Sequence, residues 1–443
     1  MKEYSFTITP TGLAKDADAI EGAVLLKNLV PDTGFWRVPR VPTIPTGWTA
    51  AAQVFRGRTA TVFCTATTVG TLAEPSLTVT PLTSVPSGGA WCFADFGSVW
   101  MVANGTRLVG VFPTEPSGFR TINQASPYFG VVACHNDTRL IYGDCTLGQN
   151  WVGWSCIGGE DIPYLLYGVA PPTSLLQLNE SGQAPMPFRG RILAIRPLRD
   201  RVMVYGEDGV IALRPVGTGY GLEDVRGIPP GVGIVGRAAV DGNVDKHLFV
   251  GTDGALYSVG SNLDATRIET VVNVPATPTV VWNGTDSEFW VSGTADSLVV
   301  TAAGVGGLVE AVVKSIALVP GLGVRACGTG YPDLLRAELW TNMVDAGGAE
   351  QKKLTYIRVA GDGLTKLRVG AKVRHMTGAA LAQSPYVQCS PEGAGYLNTV
   401  MVSGQIGVAA TVSPGSRIWG VEVRYQAHDR RFIRGTRGIP KEE

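Results

Sequence analysis

The chain has 443 residues, enough for two or three average domains or for one large repeat-built β fold. Its 57 Gly, 28 Pro and only 17% charged residues fit many short strands joined by turns, with less surface charge than a typical globular domain carries. Lys plus Arg and Asp plus Glu both total 37, so the field of the whole molecule argues against tight binding to a polyanion or an anionic membrane and leaves only glancing contact with nucleic acid.

Residues 1–50 read as an N-terminal arm, because Pro31, Pro39, Pro42 and Pro45 make the segment too Pro-rich for a run of internal strands. From residue 51 to 320 one unit recurs: an apolar strand, a short polar turn, an aromatic or β-branched strand, a second turn and a further apolar strand. It is visible at Val99 to Val111, Val131 to Gly143, Ile192 to Leu213, Ala238 to Val259 and Val280 to Val300. The later units repeat at about the 40 to 50 residues of propeller blades, in each of which four strands form a small sheet. Such a sheet has two faces to cover, so it folds only when neighbours stack against it. Asp208-Gly209 and Asp253-Gly254 predict tight two-residue hairpins. The stretch from Ala170 to Pro187 reads as an extended connection, and Pro215 to Leu222 as a Gly-rich turning loop. Only Gly307 to Leu318 and Tyr331 to Asn342 have spacing that predicts a few turns of helix. Residues 321–443 carry longer strands, at Glu350 to Val359 and Arg417 to Tyr425, and form closing blades or a small β layer with a basic C-terminal tail. The expected fold is therefore all-β: a β-propeller of about 6–8 blades with an N-terminal arm and a C-terminal β layer.

No nucleophile elbow, P-loop, HExxH or EF-hand loop occurs, which points away from an enzyme and predicts neither cofactor nor metal. The four histidines, His135, His247, His375 and His428, lie far apart and read as structural. The adjacent carboxylates Glu160-Asp161 and Glu223-Asp224 do not make a glycosidase pair, since neighbours on a strand face opposite ways. The seven cysteines form no CxxC pair and read as free, mostly buried thiols. Met1-Lys2-Glu3-Tyr4 does not resemble a signal peptide and no run of 18 apolar residues occurs, so synthesis in a reducing cytoplasm without a membrane span is expected. Trp91, Trp100, Trp151, Trp154 and Trp290 would fill the space between blades; the alternative is a sugar-binding groove.

Several segments carry a family resemblance. Glu21 to Arg40, an apolar, Asn-containing stretch followed by Gly, Arg and Pro, resembles the opening of the β-propeller tail nozzle (tail tube) proteins of short-tailed bacteriophages. Asn150 to Pro163, Arg191 to Val210 and Ile418 to Tyr425 resemble later segments of that family, although Cys156 stands where an Asp is common after the Trp-Ser pair. The resemblance implies a virion tail protein made in the host cytoplasm: a homohexameric ring below the portal and its adaptor, meeting tail fibres or spikes, and passing DNA without specific binding. On that reading the subunit contacts are sought where the chain departs from the repeat, at Phe35 and Trp36 in the arm and at Arg430, Arg431 and Arg434 in the tail. The competing expectation is a carbohydrate-binding or glycan-cleaving propeller acting in host recognition.

Overall fold

A computed structural model describes residues 3–8, 23–58, 61–74, 76–96, 99–111, 119–122, 130–135, 139–145, 148–155, 181–270, 273–332, 335–341, 344–345, 352–374, 381–401 and 403–427. Every regular element among them is a β-strand, so the chain is all-β. Six antiparallel four-stranded meanders follow one another, beginning at Gln53–Arg56, Cys92–Asp95, Val131–His135, Ile192–Leu198, Val240–Gly242 and Thr279–Asn283; the first five are separate sheets and the sixth is part of a larger one.

The burial along each meander explains why the sequence repeats as it does. Second strands such as Trp100–Ala103 and Glu288–Ser292 are buried at every position, because both faces of the sheet are covered by neighbours. Fourth strands such as Thr78–Ser84 and Gly219–Asp224 are half-buried or exposed, as sheet edges at the rim. The intersheet space is filled by apolar side chains, with Tyr205, Phe249 and Tyr257 among the largest fully buried ones. After the sixth meander a lone hairpin, Val312–Val319 with Gly323–Thr329, stands between the sixth sheet and the first. The Val313 amide donates to Ser292 Oγ at 3.0 Å on one side, and the Val54 amide donates to Ser315 Oγ at 2.9 Å on the other. The chain entering the first meander lies along this hairpin, where the Ala326 amide donates to the Thr43 carbonyl at 3.0 Å.

The two ends of the described chain come together in a second unit. Glu3–Ile8, Val30–Asp32 and Phe35–Arg37 join Lys352–Asp362, Ala394–Met401 and Arg417–Ala427 in a six-stranded sheet. Ala23–Lys27 joins Leu335–Thr341, Ser403–Val412 and Thr365–Arg374 in a sheet that continues into the sixth meander through a parallel contact of Lys27 with Leu308. The core between them contains Leu26, Trp36, Leu339, Ile357, Val369, Ile406 and Val423. This is a two-layer β-sandwich built onto the rim of the sixth meander.

Three sequence expectations are corrected here. Residues 1–50 do not stand apart as an arm: their described strands are part of the sandwich, with Pro31 on an edge strand where a missing amide costs no ladder bond. The two helical stretches are strands, since Leu335, Ala337 and Leu339 alternate into the core and Gly304–Val309 and Val312–Val319 pair in sheets. The two Asp-Gly sites turn over longer loops, residues 207–209 and 251–255, in which Asp253 accepts from the Ala255 amide at 3.1 Å and Gly254 adopts φ +77°. Pro215 to Leu222 does turn tightly, as the tip of a hairpin with Gly217 at φ +58°.

A polar knot fastens the sandwich to the meanders. Asn28, fully buried, donates to Glu310 Oε2 at 2.9 Å and to the Arg336 carbonyl at 2.8 Å, and accepts from the Glu310 amide at 2.8 Å. Its φ of +56° is a conformation that Asn tolerates better than most residues. Asn28→Ala strips all three bonds and is expected to cost about 2–4 kcal/mol in chemical denaturation. A loss within about 0.5 kcal/mol would show that the knot does not hold the two units together.

Candidate functional site

The first strands of the meanders face a common hollow, which is what an arrangement of small sheets around an axis produces. It measures about 340 Å³ and is lined from five of the six sheets and from the hairpin. Its charged lining is Arg56, Arg196, Arg237 and Lys314 against the single carboxylate Asp241, an excess of cations inside a chain of zero net charge. Lys314 donates to the Gly293 carbonyl at 2.8 Å, Thr279 Oγ1 at 3.1 Å and the Ser292 carbonyl at 3.4 Å, and burial pulls its pKa below the usual lysine value. Asp241 accepts from the Trp282 amide at 2.9 Å, with Arg196 Nε 3.8 Å away; burial pushes its carboxyl up, and Arg196 only partly offsets this. Arg237 is a spoke: it leaves the loop before the fifth sheet and donates to the Gly130 carbonyl and the Asp144 carboxylate of the third.

A second surface lies on the outer face of the six-stranded sheet. Tyr356 and Tyr396, opposite one another on paired strands, meet edge to face at 5.4 Å, and the Arg424 guanidinium lies 4.8 Å over the Tyr356 ring. Tyr396 is 73% exposed, and Trp419 on the adjoining strand is 48% exposed. Tyr, Trp and Arg are the residues that carry most binding energy at protein interfaces, since they bury large area at little cost in side-chain entropy.

No family model matches the chain, and no curated protein matches it. Among solved structures it is similar to the β-propeller domain of Myceliophteria thermophila Cps50 (Swd1), with 10% identity over 68% of this chain and 96% of that one, at a TM-score of 0.44. Kluyveromyces lactis Hsv2 matches with 10% identity over 63% of this chain and 84% of that one, at a TM-score of 0.38. The extracellular domain of the putative hybrid two component system BT4673 from B. thetaiotaomicron matches with 9% identity over 81% and 47%, at a TM-score of 0.41. Likenesses this distant say nothing of function.

The residues singled out by sequence as subunit contacts separate. Trp36 has 0% exposure, packed in the sandwich core, so it holds this chain together and offers no surface to a neighbour. Phe35 is half-buried with the Arg417 guanidinium 5.0 Å over its ring. Arg430, Arg431 and Arg434 lie outside the described residues, as do His375, His428, Cys156 and Glu160-Asp161. Glu223 pairs with Arg201 at 2.8 Å, and the same guanidinium holds Asp200 at 2.8 Å, so both carboxylates are engaged by one cation. Trp91, Trp100, Trp154 and Trp290 are buried among the sheets; Trp151 is half-buried. Cys64, Cys92 and Cys327 are free and buried, and burial pushes Cys327 up to about 11, which makes it a poor nucleophile. Among the described residues, no group of three or more His, Cys, Asp or Glu side chains is placed to hold a metal.

His247 is structural and pH-sensitive. It is buried between the fourth and fifth sheets, where Tyr205 Oη donates to Nδ1 at 2.8 Å and Nε2–H donates to the Pro197 carbonyl at 3.0 Å, a tautomer inferred from these partners. Burial, with Arg196 nearby, pulls its pKa down to about 4. A depressed histidine pKa means that the unfolded chain binds the proton first, so stability is full above about pH 6.5 and drains as pH falls toward 4. The loss is expected to approach about 3 kcal/mol. Urea titrations of wild type and His247→Gln across that window should diverge in slope, and parallel curves would exclude His247 as the cause.

Proposed function

We propose that this chain is a structural subunit of a short-tailed phage tail, a seven-bladed β-propeller that forms a homohexameric nozzle ring below the portal-adaptor and lets DNA pass. The six meanders and the lone hairpin supply the seven blades, with the hairpin and the chain near Thr43 closing the wheel. The observation that carries the assembly is the face on which exposed Tyr396 and Trp419 stand beside half-buried Tyr356 and Arg424, whose composition suits a protein partner better than water. Of the resemblance segments, residues 23–40 and Ile418 to Tyr425 lie in the sandwich and Arg191 to Val210 in the fourth meander.

Light scattering coupled to gel filtration, with electron micrographs of the same fraction, is expected to give a six-fold ring. Tyr396→Asp with Trp419→Ala is expected to shift the population to monomer by at least tenfold in dissociation constant, as loss of one interface hot spot does. A wild-type protein that stays monomeric at high concentration, alone and with an adaptor protein, would refute the reading.

A further inference from the structure

The strand Thr365–Arg374 shifts register near Lys366 and alternates from Leu367 on. Leu367, Val369, Ala371 and Val373 enter the sandwich core, while Lys366, Arg368 and Lys372 are on the opposite face. Arg336 and Lys27 join Lys366 and Arg368 around a hollow of about 520 Å³, and Lys372 stands outside its lining. Two carboxylates are within this patch, and both are engaged. Glu338 Oε1 accepts from Trp340 Nε1 at 2.7 Å and from Tyr386 Oη at 3.0 Å, and Glu310 pairs with Lys27 at 2.7 Å. Among the described residues no carboxylate lies within ion-pair distance of Arg336, Lys366, Arg368 or Lys372. Aromatic rings support two of the cations instead: Lys372 Nζ sits 4.1 Å over the Trp340 ring and the Arg368 guanidinium 5.6 Å over Tyr386. Among the described residues, five cations against two carboxylates leave this face of a neutral chain with an excess of three positive charges.

We infer that this face contacts the phosphate backbone of nucleic acid, weakly and without regard to sequence. Charge complementarity calls for a polyanion. The choice of nucleic acid over an acidic protein also rests on the conduit reading above. Four contacts hold a strand loosely enough for it to slide, which a wall of many cations would prevent.

The test is fluorescence anisotropy of the full chain with a labelled 25-nucleotide duplex and its single strand at 50 and 200 mM salt. Four phosphate contacts predict about a 150-fold loss of affinity across that range. In the variant Lys366→Gln/Arg368→Gln/Lys372→Gln the loss should shrink to about threefold, the slope expected of one remaining contact. Lys366 and Arg368 are exposed and Lys372 is half-buried, and an unchanged thermal melt confirms that the variant is folded. No binding at 50 mM salt, an unaltered salt slope in the variant, or equal competition by polyglutamate of the same charge would each overturn the inference. Ring formation is read separately by micrograph: DNA binding without rings removes the tail assignment and leaves the basic face standing.

Discussion

Arg37→Ala is expected to lower the stability of the chain by about 3–5 kcal/mol, because it strands a buried carboxylate. Glu288 has 0% side-chain exposure and Arg37 only 14%, with the guanidinium donating to Glu288 Oε2 at 2.7 Å and to Asp32 Oδ2 at 2.8 Å. The other oxygen of Glu288 accepts from Trp290 Nε1 at 2.9 Å. Arg37 belongs to the sandwich and Glu288 to the sixth meander, so this ion pair joins the two units from the inside. Burial already pushes the Glu288 carboxyl up, and Arg37 is the main force opposing that rise. Without Arg37 the carboxyl titrates higher still. A raised acid pKa in the native state means that native protein takes up the proton first, so the deficit is largest at neutral pH and narrows as pH falls. The decisive comparison is Arg37→Ala against Arg37→Ala/Glu288→Gln in urea at pH 7. Glutamine keeps the acceptor for Trp290 and removes the charge, so the double variant should recover most of the loss. Equal stability of the two would mean that lost packing, not an uncompensated charge, sets the cost.

The same pair shows why part of the fold is legible in the sequence and part is not. Meanders are local: each strand pairs with the next one, and covering both faces turns second strands into runs such as Trp100-Met-Val-Ala and Glu288-Phe-Trp-Val-Ser. The sandwich is non-local. Asn28 binds Arg336 across 308 positions and Arg37 binds Glu288 across 251, separations at which a single chain carries no periodic signal. Prolines at 31 and 39 then suggested an arm, although Pro31 occupies the edge strand, where proline is tolerated. Tyr331 to Asn342 looked helical because Leu335, Leu339 and Trp340 fall at helical spacing; Ala337, too small to register as a core residue, hides the strand alternation. Of the candidate site, the basic face was visible in principle as Lys366-x-Arg368-x-Gly370-x-Lys372, a period of two on the polar side of an apolar strand. It was masked by the balance of charge over the whole chain. The Arg237 spoke left no such trace, since its partners lie 107 and 93 positions away in sequence.

Closure of the sandwich onto the sixth meander depends on one glycine. In the Gly304–Val309 strand, a Cβ placed on Gly307 would lie 1.2 Å from the Leu26 carbonyl oxygen and 2.1 Å from its carbon. Both atoms are backbone, so no rotamer change relieves the overlap, and the strands must separate. That separation would break the Gly307 amide to Leu29 carbonyl bond at 3.2 Å and the Asn28 amide to Leu308 carbonyl bond at 2.9 Å, and with them the polar knot around Asn28. Gly307→Ala is accordingly expected to cost roughly 4 kcal/mol or more, at the upper end of what single substitutions do. It should also uncouple the two units, so that unfolding monitored at a meander residue and at a sandwich residue no longer coincides. Gly236→Ala, where nothing lies within 4 Å of the added carbon, is the control and should change stability by less than about 0.5 kcal/mol. Matching melts for the two variants would mean that the close approach of Leu26 to Gly307 is not what fastens the sandwich to the wheel.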